Sequence, residues 1–127
     1  MNIISCFVEN PFLLGLFPDG LTEDVLIGQI GLDVGGLFRL NIHTMQRPKK
    51  EVAKWGIHGQ HYDVIVIKLL GNNFSEIHTK NWKDITYAPL KCTMENNAIK
   101  LQCGNDDWQF SASFGSLTFQ GCSTYID

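Results

Sequence analysis

The chain lacks any long apolar run. No stretch approaches the roughly 18–20 consecutive apolar residues that span a bilayer, so no membrane contact is expected. It lacks an export signal as well: Met1 to Val8 is apolar, but no positive residue precedes it, and Glu9, Asn10 and Pro11 break the run. Cysteine is sparse and unpatterned. Cys6, Cys92, Cys103 and Cys122 form no C-x-x-C pair and no spacing typical of a secreted disulfide scaffold. These absences predict a cytoplasmic protein whose cysteines are buried free thiols.

Motifs for catalysis and cofactors are missing too. No G-x-x-x-x-G-K-S/T loop is present to cradle phosphate, and Gly28, Gly31, Gly35 and Gly36 do not open a helix after a strand, which removes a dinucleotide site. Ser113-Phe114-Gly115-Ser116 does not have the G-x-S-x-G pattern of a nucleophile elbow. The acids Glu23-Asp24 and Asp106-Asp107 are sequence neighbours whose carboxylates diverge, which suits caps and turns better than acid–base work. His58 and His61 are flanked by glycines, with Asp63 as the only nearby acid, and read as a solvated loop rather than a zinc site. A nucleophile made from Cys92 or Cys103 with His78 or His43 is disfavoured, because both cysteines fall on the apolar phase of their strands. No enzyme activity, cofactor or metal is therefore expected.

Charge is scarce and unevenly placed. Charged residues make up 18% of the chain and the formal net charge is −3. Residues 1–47 hold five acids and two bases, residues 48–100 five acids and eight lysines, and residues 101–127 three acids and no base. One interpretation is ordinary surface charge; the other is an acidic patch built from both ends of the chain and suited to a basic partner. The middle lysines, including Lys68, Lys80, Lys83, Lys91 and Lys100, are spread over separate strands without an aromatic pattern for stacking bases, so nucleic acid is not an expected partner.

What remains is a well-provisioned core. Hydrophobic residues are 44% of the 127, and eight of the aromatics are Phe. That is enough for one domain, residues 1–127, with a strand-rich interior. The first ~20 residues, through Pro11 and Phe17-Pro18-Asp19-Gly20, predict a short helix or irregular cap, with Leu14 to Phe17 covering one end of the core. Leu26 to Leu32 and Leu37 to Thr44 form a hairpin across Asp33-Val34-Gly35-Gly36. Pro48 opens a helical turn over Lys49 to Trp55, which Gly56 ends. Tyr62 to Leu70 is apolar on both faces, the mark of a central strand, whereas Phe74 to Trp82 is polar on both and belongs near an edge.

The C-terminal third carries the sharpest pattern. Leu90, Cys92 and Met94 alternate with polar residues, as do Ile99, Leu101 and Cys103, with Asn96-Asn97 between. A type I′ turn at the two asparagines sets Met94 opposite Ile99, Cys92 opposite Leu101 and Leu90 opposite Cys103. Gly104-Asn105-Asp106-Asp107 turns next into Trp108, Phe110, Ala112 and Phe114 on one face, and Leu117 to Ile126 follows. The expected class is α+β, mostly β: about eight antiparallel strands in a sandwich or partly open barrel, with one or two short helices.

The order of Pro11-Phe12, the Val25 to Leu32 strand, Gly36-Leu37-Phe38, Trp55 after a proline, Val64 to Ile67, Trp82 and Tyr125-Ile126 spans most of the chain. In this layout it resembles the small immunity proteins of bacterial contact-dependent and polymorphic toxin systems. The resemblance implies a cytoplasmic antidote that binds one cognate toxin domain, often a basic nuclease, and blocks its active site. It carries over no binding residues. The acidic loops supply candidates for the partner-binding surface: Glu23, Asp24, Asp33, Asn105, Asp106, Asp107 and Trp108, although the alternation of its strand also points Trp108 inward. Two other functions stay open: a ligand carrier with a hollow interior, and a hydrolase in which two of His43, His58, His61 and His78 converge with a carboxylate or thiol.

Overall fold

The computed structural model describes residues 1–8 and 10–127; Glu9, part of the break in the N-terminal apolar run, lies outside the described residues. Among the described residues eight strands form two antiparallel sheets around one core, which settles the choice between sandwich and barrel in favour of the sandwich. The first sheet has the order β1 (Val25–Leu32), β2 (Phe38–Thr44), β3 (Val64–Asn72), β8 (Ser116–Tyr125). The second has the order β4 (Glu76–Lys80), β7 (Gln109–Phe114), β6 (Ala98–Gly104), β5 (Leu90–Glu95). The chain changes sheets twice, through residues 73–75 and at Gly115.

Among the described residues helical structure is confined to α1 (Pro11–Leu16) and four short 3₁₀ turns. Asn10 starts α1 by accepting a hydrogen bond from the Leu13 amide at 3.0 Å, and Pro11 takes the first helical position, where a missing N–H costs nothing. Leu16 and Phe17 are buried as expected, but Leu14 points outward, because α1 is a single turn and a half with one inward stripe. Only Ala53–Trp55 of the segment after Pro48 is helical, and Lys83 sits in the 3₁₀ turn Trp82–Asp84 rather than on a strand.

Registers follow the alternation of side chains. Across the first sheet, Ile27, Ile42, Ile67 and Cys122 form one inward row and Ile30, Leu40, Leu69 and Phe119 the next. The β5–β6 hairpin has the register expected, with Asn96 at φ 51° and Asn97 at φ 64° in the left-handed region that a type I′ turn requires. Met94 nonetheless ends up exposed, on the edge strand of its sheet, while Ile99 opposite it is buried. β3 is central, and Val64 to Ile67 are buried on both faces. Ile65 and Ile67 face the core; Val64 and Val66 face outward beneath a bridge in which His43 Nδ1 and Tyr125 Oη are hydrogen-bonded at 2.8 Å. Gly28 bulges out of β1 under that imidazole, and a Cβ there would strike the ring.

Where the chain changes sheets, three phenylalanines fill the corner. The Phe38 ring lies 4.9 Å from those of Phe74 and Phe114. Gly71 sits beside it in β3, and a side chain at that position would drive into the Phe38 ring.

Candidate functional site

The turn between β6 and β7 is an exposed loop held by four hydrogen bonds. Asn105 builds it: its side-chain oxygen accepts from the Asp107 amide at 2.7 Å and the Trp108 amide at 3.1 Å, and its own amide donates to the Trp108 carbonyl at 3.0 Å. Asn81, in the left-handed conformation at φ 54°, donates from its side chain to the Asp107 carbonyl at 2.9 Å. Trp108 is only 1% exposed and donates its indole N–H to Thr86 Oγ1 at 3.3 Å. It therefore anchors the turn from below and is removed from the partner-contact set, as the inward phase of its strand indicated. Asp106 and Asp107 project into solvent from this fixed backbone.

Two depressions meet at Asn105. One, of about 490 Å³, is lined by Asn81, Asp84, Thr86, Asn105, Asp106 and Asp107, and its charge is wholly acidic. The other, of about 450 Å³, lies on the outer face of the second sheet. There the register sets His78, Ser111, Gln102 and Lys91 in one row across four strands, with Lys80 and Gln109 in the next. Lysines and neutral polar groups line this groove, so the surface changes sign across one rigid turn.

The other candidates scatter. Glu23 and Asp24 are exposed at the start of β1 and line a separate, smaller depression with Pro89 and Leu90. Asp24 lies near enough to Cys103 to act on its thiol. Asp33 is at the far end of β1, roughly 30 Å from Asp24 at about 3.3 Å per residue. There it faces Arg39 at 4.0 Å, an exposed pair that offsets its charge locally. Asp84, Asn81 and Thr86 join the acidic depression although sequence reading did not single them out. The polar phase of Lys91 and Gln102 was visible in the alternation, but the meeting of four strands that makes a groove of them was not.

The histidines fall in three places, His58 and His61 in one loop and the other two on separate sheets. His43 lies on the outer face of the first sheet and His78 on that of the second; His61 accepts from the Ile57 amide at 2.8 Å, and His58 stacks edge-on against Tyr62. Among the described residues no three His, Cys, Asp or Glu side chains gather as a metal would require. Burial pushes the Cys103 thiol up to about 11, with Asp24 adding to the effect, and the Cys122 thiol up to about 12; both behave as core thiols rather than nucleophiles. Phe38, Trp108, Phe110 and Phe114 fill the interior that a ligand carrier would need hollow. Among the described residues no helix is long and apolar enough to cross a membrane.

No family model, curated protein or solved structure matches this chain.

Proposed function

We propose that this domain is a protein-binding inhibitor, an immunity-type antidote whose docking surface centres on the Asn105–Asp107 turn and which neutralises a toxin domain by occluding its active cleft. One observation carries this reading: two exposed acids project from a turn whose backbone is fixed by Asn105 and Asn81, at the junction of an acidic and a lysine-lined depression. A preorganised turn loses little freedom on binding, so its contacts convert into affinity efficiently. The acids steer a basic partner, and the change of sign across the turn fixes its orientation. A polyanion is a poor fit, because it would meet Asp84, Asp106 and Asp107 beside the lysines.

The partner expected is the variable C-terminal domain of a large secreted protein encoded beside this chain. The test is calorimetric titration of the full chain with that domain at low and moderate salt. Asp106→Lys with Asp107→Lys weakens affinity by roughly tenfold or more and flattens its salt dependence. An unchanged affinity with both charges reversed removes the turn from the interface, and failure of the unaltered chain to bind the domain overturns the reading.

A further inference from the structure

Two cysteines far apart in sequence meet at the junction of the two sheets. Cys6 ends the 3₁₀ turn Ile3–Cys6, and Cys92 lies on β5; 86 positions separate them, yet their sulfurs are 2.9 Å apart. From the geometry of this contact we propose that Cys6 and Cys92 form a redox-active dithiol that closes to a disulfide on exchange with a small-molecule or protein disulfide.

The surroundings hold Cys6 in place from both sides. Before it, the Asn2 side chain accepts from the Ile4 amide at 3.1 Å and the Leu21 amide at 3.1 Å, and donates to the Leu21 carbonyl at 2.8 Å. After it, Phe7 bridges to Leu117 of β8, and the Val8 amide donates to the Leu117 carbonyl at 3.2 Å. Cys92 is fixed by the β5–β6 register opposite Leu101. With both backbones held, a closure of less than about 1 Å brings the sulfurs to bonding distance. Neighbouring residues Cys6 and Phe7 thus touch the edge strand of each sheet, and the bond would tie the two edges together.

The two thiols differ in a way that assigns their roles. Cys6 is half-buried, and its hydrogen-bonding contact with Cys92 lowers its pKa; Cys92 is buried, and the same contact together with burial raises its own. Cys6 is the attacking thiolate. It displaces one thiolate from the incoming disulfide and forms a mixed disulfide. Cys92 then gives up its proton to that leaving thiolate and attacks the Cys6 sulfur, releasing a second thiolate, which takes from water the proton that Cys6 had lost to it. Two protein thiols are oxidised by two electrons, and one disulfide is reduced to two thiols.

The experiment uses the reduced full chain and oxidised glutathione. The expected product has lost the mass of two hydrogens, yields a Cys6–Cys92 cross-linked peptide on non-reducing digestion, and melts higher until a dithiol reductant is added. Cys92→Ser stops the sequence at a glutathione adduct on Cys6, and Cys6→Ser gives no adduct on Cys92. A stable adduct on the unaltered chain, a cross-link involving Cys103 or Cys122, or thiols that stay reduced while a model dithiol is oxidised under the same conditions would each overturn the proposal.

Discussion

Replacing Gly71 with alanine puts a methyl group into the face of the Phe38 ring, at the corner where the chain passes between sheets. The ring has little room to retreat, because the Phe74 and Phe114 rings both lie 4.9 Å from it and Phe38 is fully buried. Overpacking of a close-packed core costs about 1–3 kcal/mol, and a ring hemmed in by two others belongs near the top of that range. Alanine returns about 0.5–1 kcal/mol by restricting the unfolded chain, which leaves a net loss of about 2 kcal/mol. For a domain of this size that lowers Tm by roughly 8 °C. Phe38→Leu removes the obstacle at a cost of its own, so the cycle of the two substitutions is the decisive measurement. Urea unfolding at constant m-value reads each stability, and the double variant is expected to lose about 1 kcal/mol less than the sum of the singles. Additivity to within about 0.3–0.5 kcal/mol would refute the packing argument.

Two further outcomes follow from buried titratable groups. The Tyr87 hydroxyl is buried and makes no hydrogen bond of ordinary geometry; burial, with the neighbouring Tyr125 hydroxyl second, pushes its pKa up to about 12. Tyr87→Phe therefore leaves stability unchanged or raises it by about 1 kcal/mol in urea unfolding, and a loss of that size would show the hydroxyl to be satisfied. Burial lowers the His43 pKa below its ordinary 6.5, so the unfolded chain takes up this proton first as pH falls. Stability is full above about pH 6.5 and declines below it, and His43→Gln reduces the slope of Tm against pH in that window. An identical slope in the variant would place the titration elsewhere.

Local features of the fold could be read from residues close together in the chain. Asn96-Asn97 determines its hairpin register because turn and flanking alternation lie within a dozen residues. The loss of alternation at Val64 to Ile67 marked β3 as central for the same reason. Its partners were not readable. Pairing β3 with β8 joins Val64 to Tyr125, a choice made by topology among several strands of similar pattern. The site divides along the same line. Alternation indicated that Trp108 turns inward, and the Leu26 to Leu32 strand separated Asp33 from Asp24, but no spacing rule places Asn81 and Asp84 beside Asp106. The Cys6–Cys92 contact is the extreme case, since its two residues lie on segments that meet only when both sheets are complete.

The position of β8 has a consequence for how the molecule is made. β3 emerges from the ribosome long before the strand that covers its second edge, and until Tyr125 has been synthesised the Val64-Ile65-Val66-Ile67 ladder has only β2 to pair with. An open edge of that composition invites pairing with other chains. The nascent domain thus carries this aggregation hazard while the residues between β3 and β8 are being made. Pairing with β8 closes that edge.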